Sequence, residues 1–235
     1  SYSYELHIPS KPMEYSRPST QSVPNYLKLR LRDNVDPKKM KNQPIFNYPW
    51  DDLENYLQSI RQRKLTLLAY GSLMNAKSAS QTLASHNQMN RASVYATGVR
   101  RVFNYRMPEA AYSRYGKPVS EKHVAALNIL TTNDSSDVVN GILQSVEINN
   151  LELFREREVG YRLSPVQAFD WKTREQINFP VYALELTNPE KNILPHLYYL
   201  KVCLEGALSI SIKFQRKFYE TTYLADLKTN LLDWK

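Results

Sequence analysis

The pattern of hydrophobic and polar positions divides the chain into a proline-rich first part and a remainder of alternating strand-like and helix-like segments. Seven of the 13 prolines and none of the six glycines fall within residues 1–49. Periodicity is not sustained there, although "YLKLRLR" alternates like a short strand. We therefore expect residues 1–49 to form an extended arm and residues 50–235 to form the folded domain.

Helical patterns occur near the beginning, in the middle and at the end of the folded domain. The segment "PWDDLENYLQSIRQRK" predicts a helix capped by Asp51 or Asp52. The apolar face of this helix consists of Leu53, Tyr56, Leu57 and Ile60. Further helices are predicted over residues 75–87, 149–158, 198–211 and 214–227.

Strand-like segments lie between the predicted helices. In chain order they are "LTLLAY", "SVYATGVRRVFNY", "HVAALNILTT", "VVNGILQSVEI", "YRLSPVQAFDWK" and "INFPVYALEL". The turn "NDSSD" separates the third from the fourth. Such interleaving predicts an α+β domain built on a mixed sheet.

Composition places the chain among ordinary globular proteins. Its 42% apolar and 23% charged residues are typical of soluble domains, and its longest apolar runs are too short to cross a bilayer. We expect no signal peptide, because the N-terminal residues lack the required charged, apolar and small-residue order. The only cysteine, Cys203, lies in an apolar helical segment and is expected in the core. This cysteine usage fits a reducing, cytoplasmic compartment.

The charge balance of the chain bears on the kind of partner that it could bind. Lys and Arg number 31 against 23 acids, which gives a net charge of +8. Such a charge is compatible with nucleic acid, an anionic surface or an anionic metabolite as partner. The basic residues are scattered, however, so a solvated basic surface is the favoured interpretation.

Several kinds of site are not indicated. The four histidines are His7, His86, His123 and His196. They are widely separated and have no partner at metal-ligand spacing, so we expect no metal. The sequence contains no GxxxxGK[ST], GxGxxG or GxSxG motif. We therefore expect no nucleotide cofactor and no serine nucleophile of that type.

Two segments remain as candidate chemistry. The first is Tyr70-Gly71-Ser72-Leu73, where the apolar strand "LTLLAY" stops at a glycine and bares its backbone amides. The second is "FREREVGYRL", a run of alternating acids and bases. Each taken alone is more often structural, the first as a turn and the second as a solvated helix face.

Together, in order and spacing, these segments resemble the γ-glutamylcyclotransferase-like family. The resemblance covers residues 65–218 and rests on "AYGSLMNAKSASQTL", "GVRRVFNY", "AALNILTTNDSSDVVNGILQSV", "FREREVGYRLSPV" and "PHLYYLKVCLEGAL". The third segment looks like the hairpin of the family. The glycines at family positions are Gly71, Gly98, Gly141, Gly160 and Gly206.

The resemblance implies a fold and an activity. The fold is a mixed, partly closed β-barrel flanked by helices. The activity releases 5-oxoproline from γ-glutamyl compounds, without a cofactor. The resemblance assigns the role of general acid/base to Glu158, because this acid stands three residues before Tyr161, as in the family signature. Glu152 and Glu156 are alternatives, because the "RERE" repeat allows a two-residue slip.

The same resemblance implies a substrate-binding turn. The backbone amides of Gly71, Ser72 and Leu73 would hold the oxygens of the substrate. Tyr70 and Tyr161 would wall the pocket, although Tyr161 is equally well read as a strand aromatic.

Two features depart from the family pattern. Phe154-Arg155 stands where Leu-Asp is usual, and the spacer "RMPEAAYSRYGKPVSEK" between two strands is expected to shape or cover the pocket.

The alternative function is a non-catalytic binding module of the same fold. Such a module would engage a protein or nucleic acid through its basic surface or arm.

Overall fold

The part of the chain with a described structure begins near the end of the predicted arm. The computed structural model describes residues 43–82 and 91–234. The expected strand "YLKLRLR", most of the arm and the end of the helix predicted over 75–87 lie outside these residues. Those expectations stay predictions.

Strands and helices alternate along the described residues as the pattern predicts. The strands are β1 (Lys64–Ala69), β2 (Ser93–Thr97), β3 (Val99–Arg106), β4 (Ala125–Thr131), β5 (Val138–Glu147), β6 (Arg162–Asp170), β7 (Val181–Glu185) and β8 (Thr222–Leu224). The helices are α1 (Leu53–Ser59), α2 (Ala76–Thr82), α3 (Tyr112–Tyr115), α4 (Leu151–Arg157), α5 (Leu197–Ile210) and α6 (Ile212–Thr221). Short 3₁₀ helices span Ser72–Met74, Glu109–Ala111 and Ile148–Asn150. No helix among the described residues is long and apolar enough to cross a membrane.

Five strands close into a barrel in the order β1-β5-β2-β6-β7. The closing pair, β1 and β7, is parallel, with Leu67 opposite Tyr182. The other four pairs are antiparallel. A second sheet has the order β4-β3-β8. The expected α+β fold, a mixed barrel flanked by helices, is confirmed.

The expected hairpin between β4 and β5 is wrong. β4 pairs with β3 in the second sheet, whereas β5 pairs with β1 and β2 in the barrel. Gly98, with φ of 75°, turns the chain between β2 and β3 and splits the predicted strand "SVYATGVRRVFNY" into two. The Gly98 carbonyl accepts the N–H of Thr132, and its own N–H donates to the Asp137 carbonyl, 2.9 Å in both cases. The connection between β2 and β3 and the connection between β4 and β5 therefore meet at one corner of the barrel.

Two helix ends differ from the pattern, one for a local reason and one because of a distant strand. Asp52 occupies the N-cap of α1, but its side chain caps nothing. Its φ of −95° and ψ of 6° lie outside the extended region from which a cap side chain reaches the first N–H groups. Near the C-terminus, α6 ends at Thr221 rather than near 227, because β8 pairs in parallel with β3.

Residues just before α1 form part of the core. Phe46 and Trp50 are buried with α1 side chains against barrel residues such as Leu65. Phe46 and Leu163 exchange two main-chain hydrogen bonds of 3.0 and 2.8 Å. Each large apolar side chain buried in this way stabilises the fold by about 1.5–3 kcal/mol. This segment also reaches the candidate site described below.

Candidate active site

The turn that follows β1 presents unpaired main-chain donors. The chain enters a 3₁₀ helix over Ser72–Met74 directly after Gly71. Within the described part of the chain, the N–H groups of Gly71, Ser72 and Leu73 donate to no protein acceptor. Free N–H groups are the normal property of a first helical turn. Here they border a cavity, so they are available to an oxygen of a bound molecule.

Helix α5 supports this turn from behind. A Cβ built on Gly206 would lie 2.7 Å from the main-chain nitrogen of Asn75, so only glycine permits this approach. The Asn75 side-chain amide donates to the carbonyl of Val202 at 3.2 Å. The turn and the helix are thereby held in one arrangement.

A buried guanidinium orients the peptide group that opens the turn. Arg101 on β3 donates to the carbonyl of Tyr70 at 3.1 Å and to the carbonyl of Asn140 at 2.7 Å. Its other bonds, of 2.7, 2.9 and 2.7 Å, reach the side-chain oxygens of Asn140, Thr221 and Thr222. Because a peptide group is planar, holding the Tyr70 carbonyl also directs the Gly71 N–H.

The same arginine remains a cation. Burial lowers the pKa of Arg101 to about 9, which is still above neutral pH. No carboxylate among the described residues pairs with it, and its charge is met by acceptor oxygens and the ring of Phe218 at 4.1 Å. A fixed positive charge therefore lies behind the turn of Gly71, Ser72 and Leu73, which we call the donor turn.

Glu158 lies immediately after α4, at the start of a second turn. Its N–H donates to the Phe154 carbonyl at 3.0 Å, and its carbonyl accepts from Tyr161 at 3.3 Å. Gly160, with φ of 85°, supplies the left-handed conformation that this turn requires. The Glu158 side chain is half-buried. No donor among the described residues hydrogen-bonds its carboxylate.

Side chains from before and within α1 hold this second turn. Trp50 donates its indole N–H to the carbonyl of Tyr161 at 2.8 Å and packs against Phe154 with ring centroids 5.8 Å apart. Arg155 pairs with Glu54 at 2.8 Å. Phe154 and Arg155, which stand where the resembling sequences usually have Leu-Asp, thus attach α4 to the segment around α1.

The two turns border a single cavity of about 660 Å³. All six residues singled out from the sequence line it: Tyr70, Gly71, Ser72, Leu73, Glu158 and Tyr161. Glu152 and Glu156 are exposed and do not line it. The two segments, nearly ninety positions apart in the sequence, thus meet at one cavity, with Glu158 as the acid of the "RERE" region that reaches it.

Much of the cavity wall is aromatic. Its tyrosines are Tyr70, Tyr105, Tyr115, Tyr161 and Tyr199. The Tyr70 hydroxyl donates to the Leu184 carbonyl at 2.6 Å, and the rings of Tyr105 and Tyr161 meet edge to face at 5.7 Å. Sequence reasoning missed Tyr105, Tyr115 and Tyr199, because they come from three distant elements. The one available signal was the tyrosine pair in "PHLYYLKVCLEGAL", which resembles a family helix.

Burial and charge act on Glu158 in opposite directions. Burial raises the pKa of its carboxyl to about 7, while the positive charges of Arg114 and Arg157 lower it. The burial effect is the larger, since the pKa ends above the ordinary value of 4.5. A carboxyl group that titrates near neutrality can both take up and return a proton.

Other chemistry-bearing residues have structural roles. His196 caps α5 by accepting the Tyr199 N–H at 3.3 Å, and its second ring nitrogen contacts the Gly116 carbonyl at 3.0 Å. Cys203 is buried, and burial raises the pKa of its thiol to about 12, which suits a core residue and not a nucleophile. No group of three or more potential ligands among the described residues is arranged to hold a metal.

Comparisons with known proteins show similarity in fold. No protein-family model and no curated protein sequence matches this chain. The crystal structure of YkqA from Bacillus subtilis matches with a TM-score of 0.51 and 17% identity, over 71% of this chain and 57% of YkqA. The match thus spans little more than half of that protein.

Two other similar structures carry names that state an activity. A gamma-glutamyl cyclotransferase matches with a TM-score of 0.46 and 15% identity, over 66% of this chain and 86% of its own. A yeast gamma-glutamyl cyclotransferase specific to glutathione matches with a TM-score of 0.42 and 12% identity, over 67% of this chain and 97% of its own. At such identities the likeness concerns the fold alone.

Proposed function

We propose that this protein is a γ-glutamylcyclotransferase that releases 5-oxoproline from a γ-glutamyl peptide, amide or amine, with Glu158 as the general acid/base. One observation carries the proposal. The Glu158 carboxyl, with no hydrogen-bond partner among the described residues and a pKa of about 7, shares a cavity with the free N–H groups of Gly71, Ser72 and Leu73.

The reaction needs no nucleophile from the protein. The α-amino nitrogen of the glutamyl group forms a bond to its own γ-carbonyl carbon, and the bond from that carbon to the leaving nitrogen breaks. The α-ammonium group first gives one proton to Glu158, because only the free amine has a lone pair to attack with, and Glu158 returns this proton to the leaving nitrogen. The second proton, lost when the attacking nitrogen becomes the ring amide, leaves with the released amine as its ammonium form, so protons balance and no water is consumed. Because both reacting groups belong to one molecule, holding it folded supplies an effective molarity of about 10⁵ M or more.

The turn after β1 would stabilise the charge that develops during this reaction. As the ring closes, negative charge builds on the γ-carbonyl oxygen. The N–H groups of Gly71, Ser72 and Leu73 are already fixed at the cavity, and the buried charge of Arg101 lies behind them. Donors held in place before the reaction lower the barrier because they need no reorganisation.

The test is direct measurement of 5-oxoproline. The purified protein is incubated with glutathione, γ-glutamyl dipeptides and γ-glutamyl amines, and the product is quantified by mass spectrometry. Glu158→Gln is expected to lower kcat by about 10²–10⁴-fold, the usual contribution of a general acid/base. Glu156→Gln is the matched control, since Glu156 is exposed and outside the cavity.

Equal activity of the wild-type and Glu158→Gln proteins would reject the catalytic role. Binding of γ-glutamyl compounds without any turnover would favour the non-catalytic binding module instead. A salt-dependent association with RNA or DNA would favour the nucleic-acid form of that module.

A further inference from the structure

The mouth of the cavity carries two exposed cations. Gly71 and Met107 line the cavity and are buried, so they belong to its inner part. Arg114, Arg157 and Val159 also line it and are exposed, so they border its opening. A bound molecule that reaches from the donor turn to solvent therefore passes the two guanidinium groups.

Arg114 belongs to a segment that is firmly attached to the body of the protein. At one end of this segment, the N–H of Met107 donates to the carbonyl of Val124 at 2.8 Å. At the other end, the carbonyl of Gly116 contacts the ring nitrogen of His196 at 3.0 Å. Between them, Tyr115 meets Tyr199 edge to face at 5.2 Å. Residues 107–116 thus form a fixed wall rather than a loose cover.

The Arg114 guanidinium has no acidic partner among the described residues. The guanidinium carbon lies 5.6 Å from the centre of the Tyr115 ring. None of the ion pairs between described residues includes Arg114. It is nevertheless close enough to Glu158 to lower the pKa of that carboxyl more than the adjacent Arg157 does. Arginine binds carboxylates through two parallel hydrogen bonds, so an unpaired guanidinium beside a cavity suits an anionic ligand.

We propose that Arg114 is a specificity-determining residue that binds an anionic group on the leaving amine. This inference rests on the proposed function. With the glutamyl head group held by the inner donor turn and by Glu158, the leaving amine extends toward the mouth. Arg114 there favours γ-glutamyl amino acids and peptides with a free carboxylate over neutral γ-glutamyl amides and over cationic γ-glutamyl amines. The family resemblance left the leaving amine unspecified. Arg114, which lies outside the family motifs, restricts it to amines that carry a carboxylate.

The test compares two substrates that differ in one charge. γ-Glutamyl-alanine and γ-glutamyl-alaninamide have the same head group and nearly the same size, but only the first has a carboxylate on its leaving amine. The ratio of their kcat/KM values is measured for the wild type and for Arg114→Gln. The variant is expected to lower this ratio by about tenfold or more, the contribution of a charge-assisted hydrogen bond. Arg114→Lys, which keeps the charge but not the paired donors, is expected to restore part of the ratio.

The control removes the same charge elsewhere. Arg63 is exposed and lies just before β1, at the end of the strand opposite the donor turn. Arg63→Gln is expected to leave the ratio at its wild-type value.

Three outcomes would overturn the inference, and they are distinguishable. Wild-type kcat/KM values on both substrates in Arg114→Gln reject any role of Arg114 in binding the leaving amine. An equal loss on both substrates means that Arg114 serves the head group or Glu158 instead. Failure of the wild type to release 5-oxoproline from either substrate rejects the proposed function itself, and the inference with it.

Discussion

The hydroxyl oxygen of Tyr199 occupies the space where a side chain on Gly71 would begin. A Cβ built on Gly71 would lie 2.6 Å from this oxygen, closer than a carbon atom can approach without a steric clash. Tyr199 cannot yield, because it is buried and its ring is held edge to face by Phe103 and Tyr115. The glycine of the donor turn is therefore required by a residue of α5 rather than by its own dihedral angles.

This contact predicts a coupled effect of two substitutions. Gly71→Ala is expected to displace the donor turn and to lower kcat/KM by about 10²-fold, as misplacement by about 1 Å does in other sites. Tyr199→Phe removes the obstructing oxygen. The double variant is therefore expected to lose less activity than the sum of the two single losses, expressed as free energies. Kinetics of all four proteins measure the coupling, and strict additivity would contradict the steric explanation.

The pKa of Glu158 predicts the pH dependence of catalysis. As a general base, Glu158 must be ionised in the free enzyme, and its pKa is raised to about 7 by burial. We expect kcat/KM to rise with pH, with a midpoint near 7, and then to level off. Arg114 lowers the pKa of Glu158, so Arg114→Gln is expected to move this midpoint upward. A midpoint near the ordinary carboxyl value of 4.5 would contradict the assignment.

The same pKa predicts that the candidate catalytic group reduces stability. Because the carboxyl of Glu158 has its pKa raised from 4.5 to about 7 on folding, the folded protein binds this proton more tightly than the unfolded chain. The stabilisation that comes from this tighter proton binding is complete below pH 4.5, where the carboxyl is protonated, and is lost as the pH rises through 7 and the buried carboxyl must ionise. At pH 8, Glu158→Gln is therefore expected to exceed the wild type in free energy of unfolding by about 1–3 kcal/mol.

Urea unfolding at several pH values checks this expectation. The difference between Glu158→Gln and the wild type should shrink as the pH falls toward 4.5 and disappear below it, where the wild-type carboxyl is protonated in both states. Glu156→Gln, at an exposed position, is the control and should show no such dependence. A variant less stable than the wild type at pH 8 would contradict the burial argument.

Arg101 predicts a large loss of stability on a substitution that keeps its charge. Lysine has three donors where Arg101 makes five hydrogen bonds, so Arg101→Lys removes at least two of these five bonds from the interior. We expect the free energy of unfolding to fall by about 2–4 kcal/mol. Urea unfolding with an unchanged m-value measures it. Arg100→Lys, on the neighbouring half-exposed side chain, is the matched control with a smaller expected loss.

The positions of the two turns were readable along the chain. Two signals are local: an apolar run ends at Gly71, and an acidic helical segment ends before Gly160. Both can be recognised from the sequence because strand period, helix period and turn glycines act over a few residues. They placed Gly71, Ser72, Leu73 and Glu158 at the ends of elements, where the structure has them. The extent of α5 was likewise predicted to within one residue at each end.

The arrangement that unites these signals depends on contacts between distant positions. Trp50 donates to the Tyr161 carbonyl across 111 positions, β4 joins β3 rather than β5, and Arg114 reaches the cavity mouth only because its segment is attached to α5. Local patterns carry no information on such pairings. The pKa of Glu158 is a further example, since it reflects how much water the surrounding side chains exclude. The residue types come from the chain, whereas their common cavity and their protonation come from packing.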